Sequence, residues 1–327
     1  MNHVFPLCLA LVVSLAVPAR AADGFAFADT PGKHLDVTAG GRPLVRFMYA
    51  YDPATKESLH DTYKPFLHVF APGGDKLITK GPGGQFTHHR GIFIGWNKIA
   101  FNGKSHDRWH MTGGEQVHQK FLRQDAAAGR ATFTALIHWN DAEKQAFLVE
   151  ERTFTVRRVP AGTLIDFSAK LSAPRGDVKL DGDPEHAGVH FRPANELDPK
   201  GTVYSFPTEK PDAHKDTDYP WVGETFMLDG AAYSVVEMNH PGNPAGTRWS
   251  AYRDYGRFGA FPVAEIKQGG AFTFNYRFLI ANGELPGAEV INPLYSEFTG
   301  TSAPAAKVTK VPAEQPKPAA RKKDGKK

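Results

Sequence analysis

Residues 35–49 read LDVTAGGRPLVRFMY, two strand-like runs on either side of Ala39-Gly40-Gly41. A glycine pair between two such runs is typical of a β-hairpin. Further strand candidates follow along the chain, at residues 130–139, 147–156, 163–172, 189–192, 232–238 and 271–280. No helical period is sustained beyond about two turns. Strands joined by Gly- and Pro-containing turns predict an all-β fold, and the absence of a composition break favours one large antiparallel β-sandwich.

The first 21 residues are typical of an export signal. An apolar stretch from Val4 to Val17 leads to Ala19-Arg20-Ala21, which fits an A-x-A cleavage site. The alternative, a membrane anchor, needs about 18 to 20 apolar residues, and this stretch is shorter. We therefore expect residues 1–21 to be removed, no membrane span in the remaining chain, and a periplasmic or secreted protein.

The single cysteine of the chain, Cys8, lies inside this signal. The mature protein is therefore expected to contain neither a thiol nor a disulfide. This excludes small disulfide-stapled scaffolds, cysteine zinc sites and cysteine nucleophiles. An exported protein of this kind depends on its apolar core, and the remaining length is enough to form one.

The positive charge of the chain is concentrated at its C-terminus. Residues 303–327 are rich in Pro, Ala and Lys. Their net charge of +6 exceeds the formal +4 of the whole chain. We expect this tail to be disordered, either as a solvated appendage or in weak contact with an anionic envelope surface. Residues 22–302 are then mildly acidic, which argues against a nucleic-acid partner. We expect them to form a single domain.

Four segments in the second half resemble the galactose mutarotase-like β-supersandwich in their order and spacing. They are the strand pair 151–156 and 162–171, the histidine-bearing segment 185–191, and the Lys-x-Gly turn and strand at 266–272. In that fold the strand pair leads to a catalytic histidine segment, and the turn opens the last core strand. The resemblance implies a supersandwich that binds a sugar.

A second resemblance covers most of the domain. Residues 63–68, 87–96, 102–110 and 239–256 are together similar to the bacterial "PmoA family", a domain of unknown function called DUF6807. The label refers to a methane oxygenase subunit, which is an integral membrane protein. Because this chain has no predicted span, the resemblance implies no such activity.

The segment Thr87-His88-His89-Arg90-Gly91, followed by a strand that ends at Trp96, is the first candidate site. Adjacent side chains on a strand point to opposite faces, so only one histidine is expected to face a given pocket. In mutarotase-like enzymes a pocket histidine positions the sugar ring oxygen. The resemblance implies that role for His89 with Arg90, while His88 and Trp96 are candidate substrate-binding residues. The alternative is a hydrogen-bonded or surface histidine pair.

The second candidate site contains Glu185, His186, His190 and Arg192. On a strand, His186, His190 and Arg192 would share a face. Mutarotase-like enzymes have a general-acid histidine at this point of the chain, so the resemblance implies His186 or His190 as the acid, with Arg192 holding a polar or anionic group. The alternative is a Glu185–Arg192 ion pair that closes a loop.

The third candidate site is a loop and the aromatic residues that follow it. Its candidate substrate-binding residues are His240, Asn243, Trp249, Arg253 and Tyr255. The two aromatic rings would stack on a sugar and the polar groups would bind its hydroxyls, although a simple turn closed by an ion pair fits residues 253–256 as well. Asp254 is a candidate catalytic base beside Glu237 and Glu265. The carboxylate motif of the mutarotases is missing, which argues against simple aldose epimerisation.

The sequence contains no local motif for a metal or a cofactor. No H-x-H or H-E-x-x-H spacing occurs at the histidine segments, and no nucleophile elbow, P-loop or dinucleotide fingerprint is present. We therefore predict no metal and no cofactor. The alternative is an imidazole site for zinc or copper, for which His88, His89, His186, His190 and His240 lie in the candidate segments. The function predicted is an exported carbohydrate-active protein that performs acid–base catalysis on a sugar, as an epimerase, lyase or hydrolase. The alternative is a non-catalytic glycan-binding module of the periplasm or cell surface.

Overall fold

The computed structural model describes residues 24–302 and 307–315. The predicted signal peptide, with Cys8, lies outside these residues, as does the end of the predicted tail. Within the described ranges the longer of two helices has 12 residues. No helix there is long and apolar enough to cross a membrane.

Strands account for most of the described chain. The first eight are β1 (Phe25–Thr30), β2 (His34–Ala39), β3 (Arg42–Met48), β4 (Phe66–Val69), β5 (Gly91–Trp96), β6 (Lys98–Phe101), β7 (Lys104–His106) and β8 (Gln116–Ala126). The next eight are β9 (Ala131–Asn140), β10 (Ala146–Val159), β11 (Gly162–Ser172), β12 (Val178–Asp181), β13 (Ala187–Arg192), β14 (Leu197–Phe206), β15 (Trp221–Leu228) and β16 (Ala231–Asn239). The last elements are β17 (Arg248–Ser250), β18 (Phe258–Phe261), β19 (Ala264–Ile266), β20 (Ala271–Asn282) and β21 (Thr309–Pro312), with helices α1 (Lys56–Thr62) and α2 (Ala288–Thr299).

The strands form three sheets in which neighbouring strands are antiparallel. The order in the first sheet is β1-β2-β3-β4-β5-β13-β18-β17, and in the second it is β21-β14-β15-β16-β20-β11-β10-β9-β8. A small third sheet has the order β19-β12-β6-β7. The prediction of an all-β protein built on a large antiparallel sandwich is confirmed. The hairpin predicted around Gly40 and Gly41 is the β2–β3 turn.

The core lies between the first two sheets and combines aliphatic side chains with many aromatic rings. Phe47 of β3 packs on Phe133 of β9, with ring centroids 5.3 Å apart. Trp96 of β5 packs on Phe274 of β20 at 5.3 Å. Strand β10 alternates between buried and half-buried residues, as expected of a strand with one face on a core. Burial of these rings supplies the apolar driving force for the sandwich.

The centre of the first sheet is buried on both faces. Every residue of β5 and of β13 is buried. Ile92 and Ile94 face the core between the sheets, whereas Phe93 packs on the other face with Phe66 and Trp109. His190 pairs with Phe93 across the two strands. This outer face of the first sheet, away from the main core, positions the candidate site.

Part of the predicted tail is ordered, which differs from our expectation for residues 303–327. Strand β21 pairs with β14 at the edge of the second sheet. The backbone N–H of Ala313 then donates to the carbonyl of Thr202 at 3.0 Å, and that of Glu314 donates to Tyr252 at 2.8 Å. The tail as a whole has the composition of a disordered segment, but residues 309–312 within it form a strand that completes a sheet. Residues 316–327 lie outside the described structure, and their disorder stays a prediction.

Two truncations test the contribution of β21 to stability. Ending the chain after Ser302 removes the edge strand and its hydrogen bonds, and we expect the melting temperature to fall by roughly 5 °C. Ending it after Gln315 keeps β21 and should leave the melting temperature unchanged. Thermal unfolding followed by circular dichroism measures both. Equal melting temperatures for the two truncated proteins would contradict a stabilising role for β21.

Candidate functional site

Four loops meet on the outer face of the first sheet, and three of them bring histidines together. His88 comes from the loop before β5, His110 from the loop between β7 and β8, and His186 from the bend before β13. The ring centroids of His88 and His110 are 4.4 Å apart, and those of His110 and His186 are 4.9 Å apart. We call His88, His110 and His186 the histidine cluster. The fourth loop supplies Arg253 and Tyr255 from between β17 and β18.

The first of two Asp–His pairs in the cluster is formed by Asp107 and His110. Asp107 Oδ1 accepts the backbone N–H groups of Trp109 and His110 at 2.9 and 2.8 Å. Its Oδ2 bonds Nδ1 of His110 at 2.8 Å. A carboxylate on Nδ1 favours a proton there and leaves Nε2 with a free lone pair. The loop therefore fixes both the orientation and the tautomer of His110.

The second Asp–His pair, Asp183 and His186, repeats this geometry. Asp183 Oδ1 bonds Nδ1 of His186 at 2.6 Å and accepts the backbone N–H of Glu185 at 3.1 Å. The other carboxylate oxygen accepts from the amide of Asn97 at 2.6 Å. The side chain of His186 is 31% exposed, and because Nδ1 is bonded, Nε2 is the ring nitrogen available to a ligand.

His88 and His89 occupy different environments, as expected for neighbours in the chain. His88 is half-buried, and its buried Nε2 has no hydrogen-bond partner among residues 24–302 and 307–315. Burial, and then the charge of Lys64, lowers the pKa of His88 to about 2. His89 is buried under Trp109 and Tyr255, and neither ring nitrogen has a hydrogen-bond partner in the part of the chain that the structure describes. The pocket-facing residue is therefore His88 rather than His89, the one predicted.

His190 lies fully buried beneath the cluster. Its Nε2 bonds the carbonyl of Ala187 at 2.7 Å, and its Nδ1 faces the guanidinium of Arg257 at 3.1 Å. Burial and the charge of Arg257 hold the pKa of His190 well below its ordinary value. Both nitrogens are used by the protein, so of the two predicted acids only His186 can reach a ligand.

Glu185 ties the second candidate segment to the third. It pairs with Arg253 and lies 3.7 Å from Arg257, and it accepts the hydroxyl of Tyr252 at 3.1 Å. Burial would raise the pKa of Glu185, but the Arg253 hydrogen bond and the charge of Arg257 hold it below its ordinary value. The sequence analysis gave an ion pair of Glu185 with Arg192 as an alternative. In the structure the partners of Glu185 are Arg253 and Arg257 instead.

A pair of aromatic rings borders the cluster. Phe86 is 42% exposed and its ring lies 4.8 Å from that of Tyr255. The Phe86 ring is also 5.4 Å from His89 and 6.5 Å from His88. An exposed aromatic ring beside polar groups is the usual means of holding the apolar face of a sugar. We call Phe86 and Tyr255 the ring pair.

Three predicted binding residues have structural roles instead. Arg90 is buried and donates to the carbonyls of His60 and Asp61, at the end of α1. Arg192 is buried and donates to the carbonyls of Pro193 and Tyr255, which holds the Tyr255 loop in place. Trp96 lies in the core between the sheets and donates to Pro262 at 2.9 Å. A buried guanidinium needs several acceptors, and here backbone carbonyls supply them.

The 239–249 part of the third candidate site also lies apart from the cluster. Asn243 donates to the side chain of Asn239 at 2.7 Å and to the carbonyl of Asn275 at 2.8 Å. His240 packs on Phe298 of α2. Trp249 is 2% exposed and packs in the core. Among the described contacts, none of these side chains reaches the histidine cluster.

The predicted catalytic bases do not meet the cluster either. Glu237 is fully buried, and burial raises its pKa well above the ordinary value. Glu265 lies exposed on β19. Asp254 is half-buried in the turn beside Tyr255, and no described hydrogen bond involves its carboxylate. The carboxylates that contact the clustered imidazoles are Asp107 and Asp183, neither of which we had selected.

One pattern in the sequence could have identified these groups. The spacing Asp-x-x-His occurs at residues 107–110 and again at 183–186. In both segments the aspartate accepts backbone N–H groups within the turn and bonds the histidine ring three residues later. Buried Trp109, Lys64 and Arg257, which support the cluster from below, carry no such local signal.

The histidine cluster is separate from two clefts on the surface of the protein. One cleft of about 670 Å³ is lined by turns that include Arg42 and Arg158. Another of about 370 Å³ is lined by strands of the third sheet and includes Glu265. None of the clustered histidines lines either cleft, so cleft size alone does not locate the site.

The sequence profile of a family of unknown function, DUF6807, matches residues 34–296. The matched range contains the ring pair and all three histidines of the cluster. The DUF6807 part of the resemblance drawn from the sequence is confirmed, while the "PmoA" label is not part of that description. No curated protein matches the chain in sequence.

Solved structures similar to the chain include an α-galactosidase from Geobacillus stearothermophilus, at 9% identity and a TM-score of 0.42. This match covers 79% of the chain but 41% of the galactosidase. A galactose mutarotase-like protein from Clostridium acetobutylicum matches at 9% identity and a TM-score of 0.36. That match covers 81% of the chain and 100% of the mutarotase-like protein.

His68 lies on β4 of the first sheet, and the buried state of its imidazole can be tested through the pH dependence of stability. His68 is 8% exposed, shares a hydrogen bond with Thr79, and burial lowers its pKa to about 4. The unfolded chain binds a proton near pH 6.5 and the folded chain does not, so stability is fully present above pH 6.5 and is lost as the pH falls towards 4.

The variant His68→Asn keeps a group able to bond Thr79 but removes the titration. Between pH 7 and pH 5, the free energy of unfolding of this variant should fall by about 2 kcal/mol less than that of the parent. Urea unfolding at both pH values measures the difference. The same pH dependence in the two proteins would show that His68 is not the buried titrating group.

Proposed function

Because the chain belongs to the DUF6807 family, whose description assigns no activity, we propose its function from the site: an exported enzyme that acts on a carbohydrate by proton transfer at the histidine cluster. The ring pair holds the sugar and the cluster provides the reactive centre. Export is proposed from the N-terminal sequence, with its apolar stretch and A-x-A site.

One observation carries this proposal, the convergence of separate segments. Side chains from residues 86–88, 107–110, 183–186 and 253–255 meet on one face of the sheet although up to 169 positions separate them. Imidazoles, carboxylates and a guanidinium contribute little to a core. Their convergence beside an exposed ring favours a binding and reaction site.

The Asp–His pairs favour catalysis over binding alone. A glycan-binding face needs rings and hydrogen-bonding groups, but it gains nothing from imidazoles whose tautomer is fixed by a carboxylate of the same turn. At His110 and His186 a carboxylate holds Nδ1, which leaves Nε2 as the ring nitrogen available to a ligand. This arrangement presents a lone pair of fixed orientation, which is what proton transfer to or from a bound sugar requires.

The decisive assay incubates the purified protein with a panel of mono-, di- and 3-keto-sugars and follows anomeric exchange, unsaturated products and free sugar by NMR. We expect turnover of at least one sugar. The variant His186→Ala should lower turnover by roughly 10²- to 10⁴-fold while the melting temperature is retained. Saturable binding without turnover of any sugar would favour a glycan-binding module instead.

A second variant tests the ring pair. Phe86→Ala removes an exposed ring and should weaken binding of the best sugar about five- to tenfold, because one stacking contact is worth roughly 1 to 1.5 kcal/mol. Leu122→Ala is the matched control, since Leu122 is 44% exposed and lies on β8 of the other sheet. Isothermal titration measures both. Equal affinities for the two variants would exclude stacking on Phe86.

A further inference from the structure

We propose that His88, His110 and His186 together bind one divalent first-row transition metal ion of the Zn²⁺ class. One ring nitrogen from each residue lies within 4.8 Å of the other two. Within residues 24–302 and 307–315, no other group of three His, Cys, Asp or Glu side chains comes this close. The proposal differs from our expectation from the sequence, which rested on the lack of a local H-x-H or H-E-x-x-H spacing.

The distances suit a site that closes on its ion. Imidazole nitrogens bind Zn²⁺ at about 2.0 to 2.1 Å, which places two ligands of a tetrahedral ion ~3.4 Å apart. The widest pair here therefore needs to approach by ~1.4 Å or less. His110 and His186 are 33% and 31% exposed, so their rings have space for this rotation.

The two Asp–His pairs are the second observation that points to a metal. Metal-binding histidines nearly always donate their other ring N–H to a carboxylate or carbonyl, which fixes the tautomer and raises the basicity of the ligand. Asp107 and Asp183 each occupy Nδ1 of one cluster histidine. A histidine with a purely structural role does not need an orienting carboxylate, whereas here two neighbouring imidazoles each have one.

The third ligand is short of a partner. Nε2 of His88 is buried and has no hydrogen bond within the described chain. A buried polar atom without a partner costs free energy, and in native proteins it usually contacts a water or an ion. An ion held between His88 and the two exposed imidazoles would satisfy it.

The ligand set also indicates the class of ion. Imidazole suits Zn²⁺, Cu²⁺, Ni²⁺ and Fe²⁺, whereas Ca²⁺ and Mg²⁺ prefer oxygen ligands. Three protein ligands would leave a coordination position for a further ligand. If the proposed function holds, that position would accept a water or a sugar oxygen. The imidazole lone pairs would then be bound to the ion, so a metal-bound water would perform the proton transfer in their place, and this part of the inference rests on the proposed function. Metal binding itself does not.

The test uses the full mature chain, dialysed against a chelator and then titrated with Zn²⁺ by calorimetry, with bound metal counted by mass spectrometry. We expect one ion per chain. His110→Ala and His186→Ala should each weaken binding at least 100-fold, and Asp183→Asn about 10- to 100-fold, because it removes only the orienting carboxylate. Co²⁺ should give visible absorption bands that are lost in His110→Ala.

The matched control is His214→Ala. His214 bonds Glu314 at 2.6 Å and so is another histidine–carboxylate pair, but it lies outside the cluster. This variant should bind Zn²⁺ like the parent, and melting temperatures show that each variant folds. Binding that is absent in the parent, or equally strong in His110→Ala and His214→Ala, would overturn the inference.

The outcomes for the ion and for the sugar are separable. If the parent binds one Zn²⁺ per chain and His110→Ala does not, but no sugar of the panel is turned over, the metal site is supported and the proposed enzyme is contradicted. Turnover by a chelated protein that binds no Zn²⁺ would support the enzyme and overturn the metal site.

Discussion

The site depends on one buried positive charge, the guanidinium of Arg257. Arg257 has no solvent exposure, and it contacts His190 on β13 and Glu185 in the bend before that strand. Together with burial, its charge holds the pKa values of His89 and His190 well below their ordinary range. The imidazoles beneath the cluster are therefore neutral, and Glu185 remains a carboxylate. A neutral substitute would leave that carboxylate partly buried beside fewer counter-charges, which is costly.

The fold and the candidate segments could be predicted from the sequence, because both follow from local patterns. Strand runs separated by Gly- and Pro-containing turns predicted the sandwich, and clusters of polar residues identified the segments of His88, His186 and Tyr255 as candidate sites. The individual roles were less predictable. His88 and His89 differ by one position in the chain, and only packing decides that His89 is covered by Trp109 and Tyr255 while His88 joins the cluster.

The structure differs most from the roles predicted from the sequence at large polar and aromatic side chains. Arg90 and Arg192 are of a type common in binding sites, yet their donors are used by carbonyls 29 and 63 positions away in the chain. Such partners cannot be inferred from neighbouring residues. The reverse holds for the bonds that Asp107 and Asp183 make to their histidines and to backbone N–H groups, which lie within three residues and repeat. A local geometry that occurs twice is therefore more informative about this site than the chemical type of any single residue.

Strand β21 has a consequence for the order in which the molecule is completed. It is the last strand within the described residues, and it pairs with β14, which lies about a hundred positions earlier. During synthesis β14 therefore presents an unpaired edge until nearly the whole chain is available. Free edges pair readily with other strands, and non-local pairings form slowly. The sheet is thus exposed to self-association until β21 has paired, and residues 309–312 then protect its edge.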